Sequence, residues 1–187
     1  MPPDTSSSAR TTVLLAVLTG VVVVLLTCVA APSPTEPTGW THSSAAPISA
    51  ADREMLVAVR QAALWETPVG QQAQQKATSA GVRDAAARMS DELSVLSENV
   101  RAVADRLGVP LPSQPTARQQ AWAAEISGES GAGYDTTMLS HLRATCQATL
   151  TVIERTRAAT ASPEMRSLAD EAARVVGGHL RLLDRLG

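Results

Sequence analysis

Beyond residue 49, apolar residues return every three or four positions through most of the chain, the period of helices that each bury one face. The clearest run is Val82, Ala86, Met89, Leu93, Leu96, Val100, Val103 and Leu107, in strict four-three alternation, with Arg and Asp on the other faces. That is the seam of a helix in a bundle. An earlier run, Met55, Val59, Ala62, Glu66, Val69 and Ala73, predicts a helix that starts after the N-cap residue Ser49, has Asp52 in its first turn and is closed by Gly81. Pro68 falls inside this run and is expected to kink the helix or insert a wide turn, because it lacks an N–H and crowds the preceding turn.

Gly108 ends the second helix, and Pro110, Pro112 and Pro115 carry the chain across the molecule. A short helix is expected over Ala117 to Ile126, with Trp122 as a lid on the core. After a Gly-rich break at Gly128 to Gly133, the stripe Leu139, Leu142, Cys146, Leu150 and Ile153 marks a third long helix running to about Ala159. Ser162, Pro163 and Glu164 then supply an N-cap, a proline at the first helical position and an acid in the first turn. The last seam reads Leu168, Ala172, Val175, His179, Leu182 and Leu186. The fold class is therefore all-α: an antiparallel four-helix bundle with a short extra helix in its middle connection. No segment reads as a strand.

The N-terminus follows a different pattern. Residues 12–31 carry no charge, about the 20 residues that cross a bilayer core. Arg10 precedes this stretch while Glu36 and Asp52 follow it, which places the N-terminus in the cytoplasm and the remainder outside. Residues 1–31 thus read as a signal peptide or a transmembrane anchor, and the partner expected for residues 12–31 is the membrane. Three fates are open: retention, cleavage after Ala30 or Ala31, and lipidation at Cys28, since Leu25-Leu26-Thr27-Cys28 resembles a lipobox apart from Thr27. All three predict a domain at the cell membrane facing away from the cytoplasm, or secreted after cleavage. Residues 32–48 form a Pro/Ser/Thr-rich tether, in which His42 is a solvated bystander, and residues 49–187 form the bundle domain.

Composition narrows the function classes. The chain has no Phe and one Tyr, and its net charge of -2 is dispersed, with no basic block to meet a phosphate backbone. Nucleic acid is excluded as a partner on that ground. With Cys28 in the export segment, Cys146 is expected to be a free thiol.

Glu66 and His179 are the strongly polar residues on otherwise apolar seams. Counted from the turns near Ala80 and Ser162 at 1.5 Å per residue, Glu66, Leu93, Cys146 and His179 all fall roughly 20 to 25 Å from one end of the bundle and should share a layer. His141 precedes Cys146 by five residues, about 500° around the helix, so it lies roughly 140° off the stripe and is expected at the surface.

The order and spacing of Leu64-Trp65-Glu66-Thr67-Pro68-Val69-Gly70, Val82-Arg83-Asp84, Arg88-Met89-Ser90-Asp91-Glu92, Leu107-Gly108-Val109-Pro110, Tyr134-Asp135 and Gly178-His179-Leu180 resemble the exported ferritin-like family known as domain of unknown function 4142. The resemblance implies a ferritin-type bundle with an inward Glu on the first helix and one His on each of the other three. Glu66 and His179 match two of those positions; Leu93 and Cys146 stand at the others.

Two functional readings follow. One is a non-enzymatic, envelope-tethered bundle with a binding or structural role, in which Glu66 and His179 hydrogen-bond across the core because an unpaired buried charge costs too much. The other is a mononuclear metal or redox protein using Glu66, Cys146 and His179, since mixed O, S and N donors with an open position suit a single divalent ion. A di-iron site needs Glu-x-x-His pairs, and the chain has none. Catalytic residues are not assigned: a thiol nucleophile at Cys146 would need access that a mid-bundle position denies.

Overall fold

A computed structural model describes residues 48–186. The export segment, most of the tether, Cys28 and His42 lie outside them. Five helices follow one another: α1 (Ala50–Lys76), α2 (Ala80–Leu107), α3 (Ala117–Gly128), α4 (Gly131–Ala159) and α5 (Pro163–Asp184). Among the described residues there is no strand, and no helix is long and apolar enough to cross a membrane.

The helix starts are set by side chains that satisfy the free N–H groups of the first turn. Ser49 accepts from the Asp52 amide while the Asp52 carboxylate accepts from Ser49, a capping box. Thr116 and Gln119 repeat the arrangement at α3, and Ser162 with Pro163 opens α5. Gly108 terminates α2 with φ +64°, a left-handed conformation that glycine adopts without strain, and Val109 N–H closes the turn on the Ala104 carbonyl at 2.8 Å.

The four long helices pair as two hairpins, α1 with α2 and α4 with α5, which pack laterally through α1 with α4 and α2 with α5. Connections of three residues, 77–79 and 160–162, require each hairpin to be antiparallel. The short α3 lies over α4 and α1. Trp65, Tyr134, Met55, Leu56, Leu96 and Ile153 are among the largest side chains completely enclosed. Their burial, about 1.5–3 kcal/mol for each apolar side chain, is the main force holding the layers together.

Three expectations are corrected. Gly81 does not close the first helix: α1 stops at Lys76, and Gly81 sits in the first turn of α2 behind the N-cap Ser79. The turn is fixed from outside, by Asp135 on α4, which accepts from the Thr78 and Ser79 amides and the Thr78 hydroxyl at 3.0, 2.9 and 2.7 Å. Of the two outcomes expected at Pro68, the wide turn does not occur: α1 runs unbroken from Ala50 to Lys76 with the proline inside it. Here α1 and α2 nearly touch: a Cβ on Gly70 would lie 2.9 Å from the Ala86 carbonyl oxygen, and the Ser90 hydroxyl donates to the Thr67 carbonyl at 3.1 Å.

The third correction concerns the last seam. Its buried face is Met165, Leu168, Ala169, Ala172, Val176, His179 and Leu183, whereas Val175, Leu182 and Leu186 are only half-buried. The two phases share Leu168, Ala172 and His179, so His179 faces inward in both.

Candidate functional site

Helix geometry places three chemically distinct donors in the core. Glu66 stands one position after the enclosed Trp65 on α1, Cys146 follows Thr145 on α4, and His179 lies on the inward face of α5. Their exposures are 6%, 2% and 1%, and one ligand atom from each lies within 4.8 Å of the other two. The expected layer of Glu66, Cys146 and His179 is therefore brought together. Leu93 is also buried, at 2%, but it offers only an alkyl group.

The partner of His179 differs from the expected one. Its Nε2 lies 3.1 Å from Glu92 Oε2 on α2, and the other Glu92 oxygen accepts from Arg88 Nε at 2.8 Å. The anticipated Glu66–His179 hydrogen bond is replaced by this Arg88–Glu92–His179 relay. Burial works to raise the Glu92 pKa, but the hydrogen bonds and charges of Arg88 and His179 outweigh it and hold the carboxyl below its ordinary value. An ionised carboxylate can only accept, which assigns the proton of a neutral imidazole to Nε2. Nδ1 is then an unprotonated, buried nitrogen with no hydrogen-bond partner. Burial, opposed by the Glu92 charge and assisted by Arg88, pushes His179 below its ordinary pKa and favours that neutral form.

The other two donors are also held in their uncharged forms. Burial pushes the Glu66 carboxyl up to about 8, with no hydrogen bond or cation to offset it. Burial and then the nearby Glu66 carboxylate push the Cys146 thiol well above its ordinary value. Among the described residues Cys146 is a free, buried thiol, and a raised pKa is the reverse of what a nucleophilic cysteine needs. A neutral carboxyl, a thiol and a bare imidazole nitrogen form a cluster that a cation could charge by displacing two protons.

Glu92 was not legible as a site residue because it lies one position before the seam residue Leu93, on what reads as a solvent-facing flank. Its i,i+4 spacing from Arg88 is the one local signal, and that pattern is common on exposed helix faces. His141 is outside the cluster, as its angular offset predicts. It is nonetheless no free surface side chain: its ring stacks on Trp122 with centroids 5.0 Å apart, and Nε2 lies 3.0 Å from Glu125 Oε2. Trp122 in turn packs against Trp65, centroids 6.0 Å apart, so the short helix does cover the core beside Glu66.

Comparison with known proteins agrees with this architecture. A family model described as Domain of unknown function (DUF4142) matches residues 38–186. Among solved structures, the fold is similar to that of a DUF305 fragment from Deinococcus radiodurans, with a TM-score of 0.65 over 75% of this chain and 97% of that one. At 15% identity the likeness is one of fold alone. No curated protein sequence matches the chain.

Proposed function

We propose, from the premise that this chain belongs to the Domain of unknown function (DUF4142) family, that it is a metal-binding protein of the cell envelope. In this reading a ferritin-like antiparallel four-helix bundle, held outside the cytoplasm by residues 12–31 or by a lipid on Cys28, binds one divalent ion through Glu66, Cys146 and His179. The observation that carries it is the convergence of the three donors within 4.8 Å around a His179 whose Nε2 is held by Glu92 and whose Nδ1 has no partner. A metal-ligating histidine ordinarily donates its second ring N–H to a carboxylate, which fixes its tautomer and raises its basicity. Glu92 is placed for that role.

The donor set favours zinc among common divalent ions. A thiolate and an imidazole suit a borderline-soft cation, and one carboxylate is too few for calcium or magnesium. Zinc bonds of about 2.0–2.3 Å put tetrahedral donors roughly 3.3–3.8 Å apart, so a cluster spread over 4.8 Å would contract by about an ångström around the ion. The fourth position falls to water or a small ligand.

A binding role is favoured over turnover. The donors are almost wholly enclosed, which leaves a substrate little access, and the raised Cys146 pKa opposes nucleophilic chemistry. The test is elemental analysis of the full-length protein after zinc loading and removal of free ion, with Cys146→Ala and His179→Ala beside it. One equivalent in the parent chain, lost in both variants, is expected.

A further inference from the structure

Between α2 and the last turns of α5 lies a cavity of about 130 Å³ whose lining includes Arg88, Glu92, Gly178, His179, Arg181 and Arg185. Three arginines and one carboxylate thus meet at one small space. Arg88 and Glu92 pair with each other at 2.8 Å, and Glu92 also meets His179 at 3.1 Å. The side chains of Arg181 and Arg185 enter no ion pair or hydrogen bond among the described residues, and Asp184 between them pairs with Arg143 instead, at 3.3 Å. Like charges four residues apart on a helix repel, and Arg88 across the gap adds to the excess.

The helix dipole favours a cation near the end of α5, but it calls for neither an arginine from α2 nor the glycines beside Arg181. Gly177 and Gly178 stand in the interior of α5, where glycine weakens a helix. At Gly70 the approach of α2 demands that cost; here no described residue of another helix does. A Cβ on Gly177 or Gly178 would meet only the Arg181 guanidinium, at 3.5 and 3.8 Å, which are ordinary contact distances. What the bare Gly178 backbone leaves open is the wall of this cavity.

Unpaired guanidiniums, each a planar fork of donors, match an oxyanion. At about 30 Å³ for each water in the liquid, the cavity has room for about four waters or one small ion, well below the roughly 300–1,000 Å³ of drug-sized sites. Glu92 narrows the class. Its two oxygens offer about four acceptor positions, of which Arg88 and His179 take two, so it can accept from a ligand hydroxyl and repels an anion that has none. At neutral pH inorganic phosphate keeps a P–OH group, whereas sulfate has no proton and a phosphate monoester, with a second pKa of about 6, has largely lost its last one. We propose that this cavity binds free inorganic phosphate: Arg181 and Arg185 pair with its charged oxygens, Arg88 faces it from α2, and Glu92 accepts from its hydroxyl. The cavity adjoins the metal cluster through His179, whose bare Nδ1 is the atom offered to an ion, so phosphate binding does not rest on the metal reading.

The experiment is calorimetric titration of full-length, chelator-treated protein in detergent with inorganic phosphate, sulfate and methyl phosphate, at about 0.15 M salt so that diffuse surface attraction is screened. It is repeated on R181Q, R185Q, E92Q and G178L, each shown to be folded by circular dichroism. One saturable phosphate site is expected, about tenfold or more tighter than for sulfate or methyl phosphate. R181Q and R185Q should each weaken phosphate about tenfold, the loss of one charge-assisted pair. E92Q should weaken phosphate about tenfold without weakening sulfate, which removes the preference. G178L, which fills the cavity, should abolish binding. No saturable phosphate binding to the folded parent protein, unchanged affinity in both R181Q and R185Q, or sulfate or methyl phosphate bound as tightly as phosphate would overturn the proposal. Because the protein titrated is free of metal, this outcome and that of the zinc measurement are read independently.

Discussion

Glu92 Oε2 lies 3.1 Å from His179 Nε2, joining α2 to α5 across the bundle through a side chain that is one-third exposed and another that is 1% exposed. The pair fixes which nitrogen of a buried imidazole is protonated and leaves the other bare beside Glu66 and Cys146. Glu92→Gln keeps a hydrogen-bonding group but removes the charge. Zinc affinity, measured by competition with a chromophoric chelator, should fall about 10- to 100-fold, with the fold unchanged by circular dichroism.

Glu66 makes the metal-free protein sensitive to pH in a predictable direction. Its folded pKa of about 8 exceeds the ordinary 4.5, so between those values the folded state holds more protons than the unfolded chain. The stability due to this group is therefore full below pH 4.5 and is lost as pH rises toward 8. Glu66→Gln removes that slope. Urea denaturation of chelated protein should show the variant more stable than the parent at pH 8 by about 2–4 kcal/mol, the difference vanishing near pH 4.5. His179, whose pKa is lowered, contributes in the opposite sense, losing stability as pH falls below its ordinary 6.5, and that term is common to both proteins.

The turn between α1 and α2 depends on Asp135. Burial alone would raise its pKa, but the Thr78 hydroxyl, the Ser79 and Thr78 amides and the charge of Arg83 hold it below its ordinary value. Removing the carboxylate strands two backbone N–H groups in a part-buried turn. Asp135→Ala should destabilise the domain by about 2–3 kcal/mol in urea unfolding at pH 7.

Gly70 lets the first hairpin close. Because an added Cβ would stand 2.9 Å from the Ala86 carbonyl oxygen and 3.0 Å from Ser90 Cβ, the two helices must separate to accept it. Gly70→Ala should cost about 1–3 kcal/mol by thermal or urea unfolding, although alanine favours helix elsewhere.

The fold was legible where periodicity was unambiguous. The α2 seam from Val82 to Val103 is buried at every position named from the four-three pattern, because one narrow apolar stripe admits one orientation. In α5 the apolar stripe is wider, and Met165, Val176 and Leu183 compete with Val175, Leu182 and Leu186 for the inward face. Counting residues from the turns brought Glu66, Cys146 and His179 to one level, since helical rise is fixed and the connections are short. Glu92 and Asp135 were not legible as structural partners. Each acts across a helix interface, through a carboxylate next to a seam, and local sequence does not encode which facing group it meets.

The central claim is that the buried triad binds a metal ion, and zinc stoichiometry measures it most directly. The full-length protein, loaded with zinc and freed of excess by gel filtration, should carry one equivalent by mass spectrometry. Cys146→Ala and His179→Ala, shown to be folded by circular dichroism, should each carry well under one-tenth of that. A parent protein with no stoichiometric metal, or folded variants that retain the full equivalent, would contradict the account.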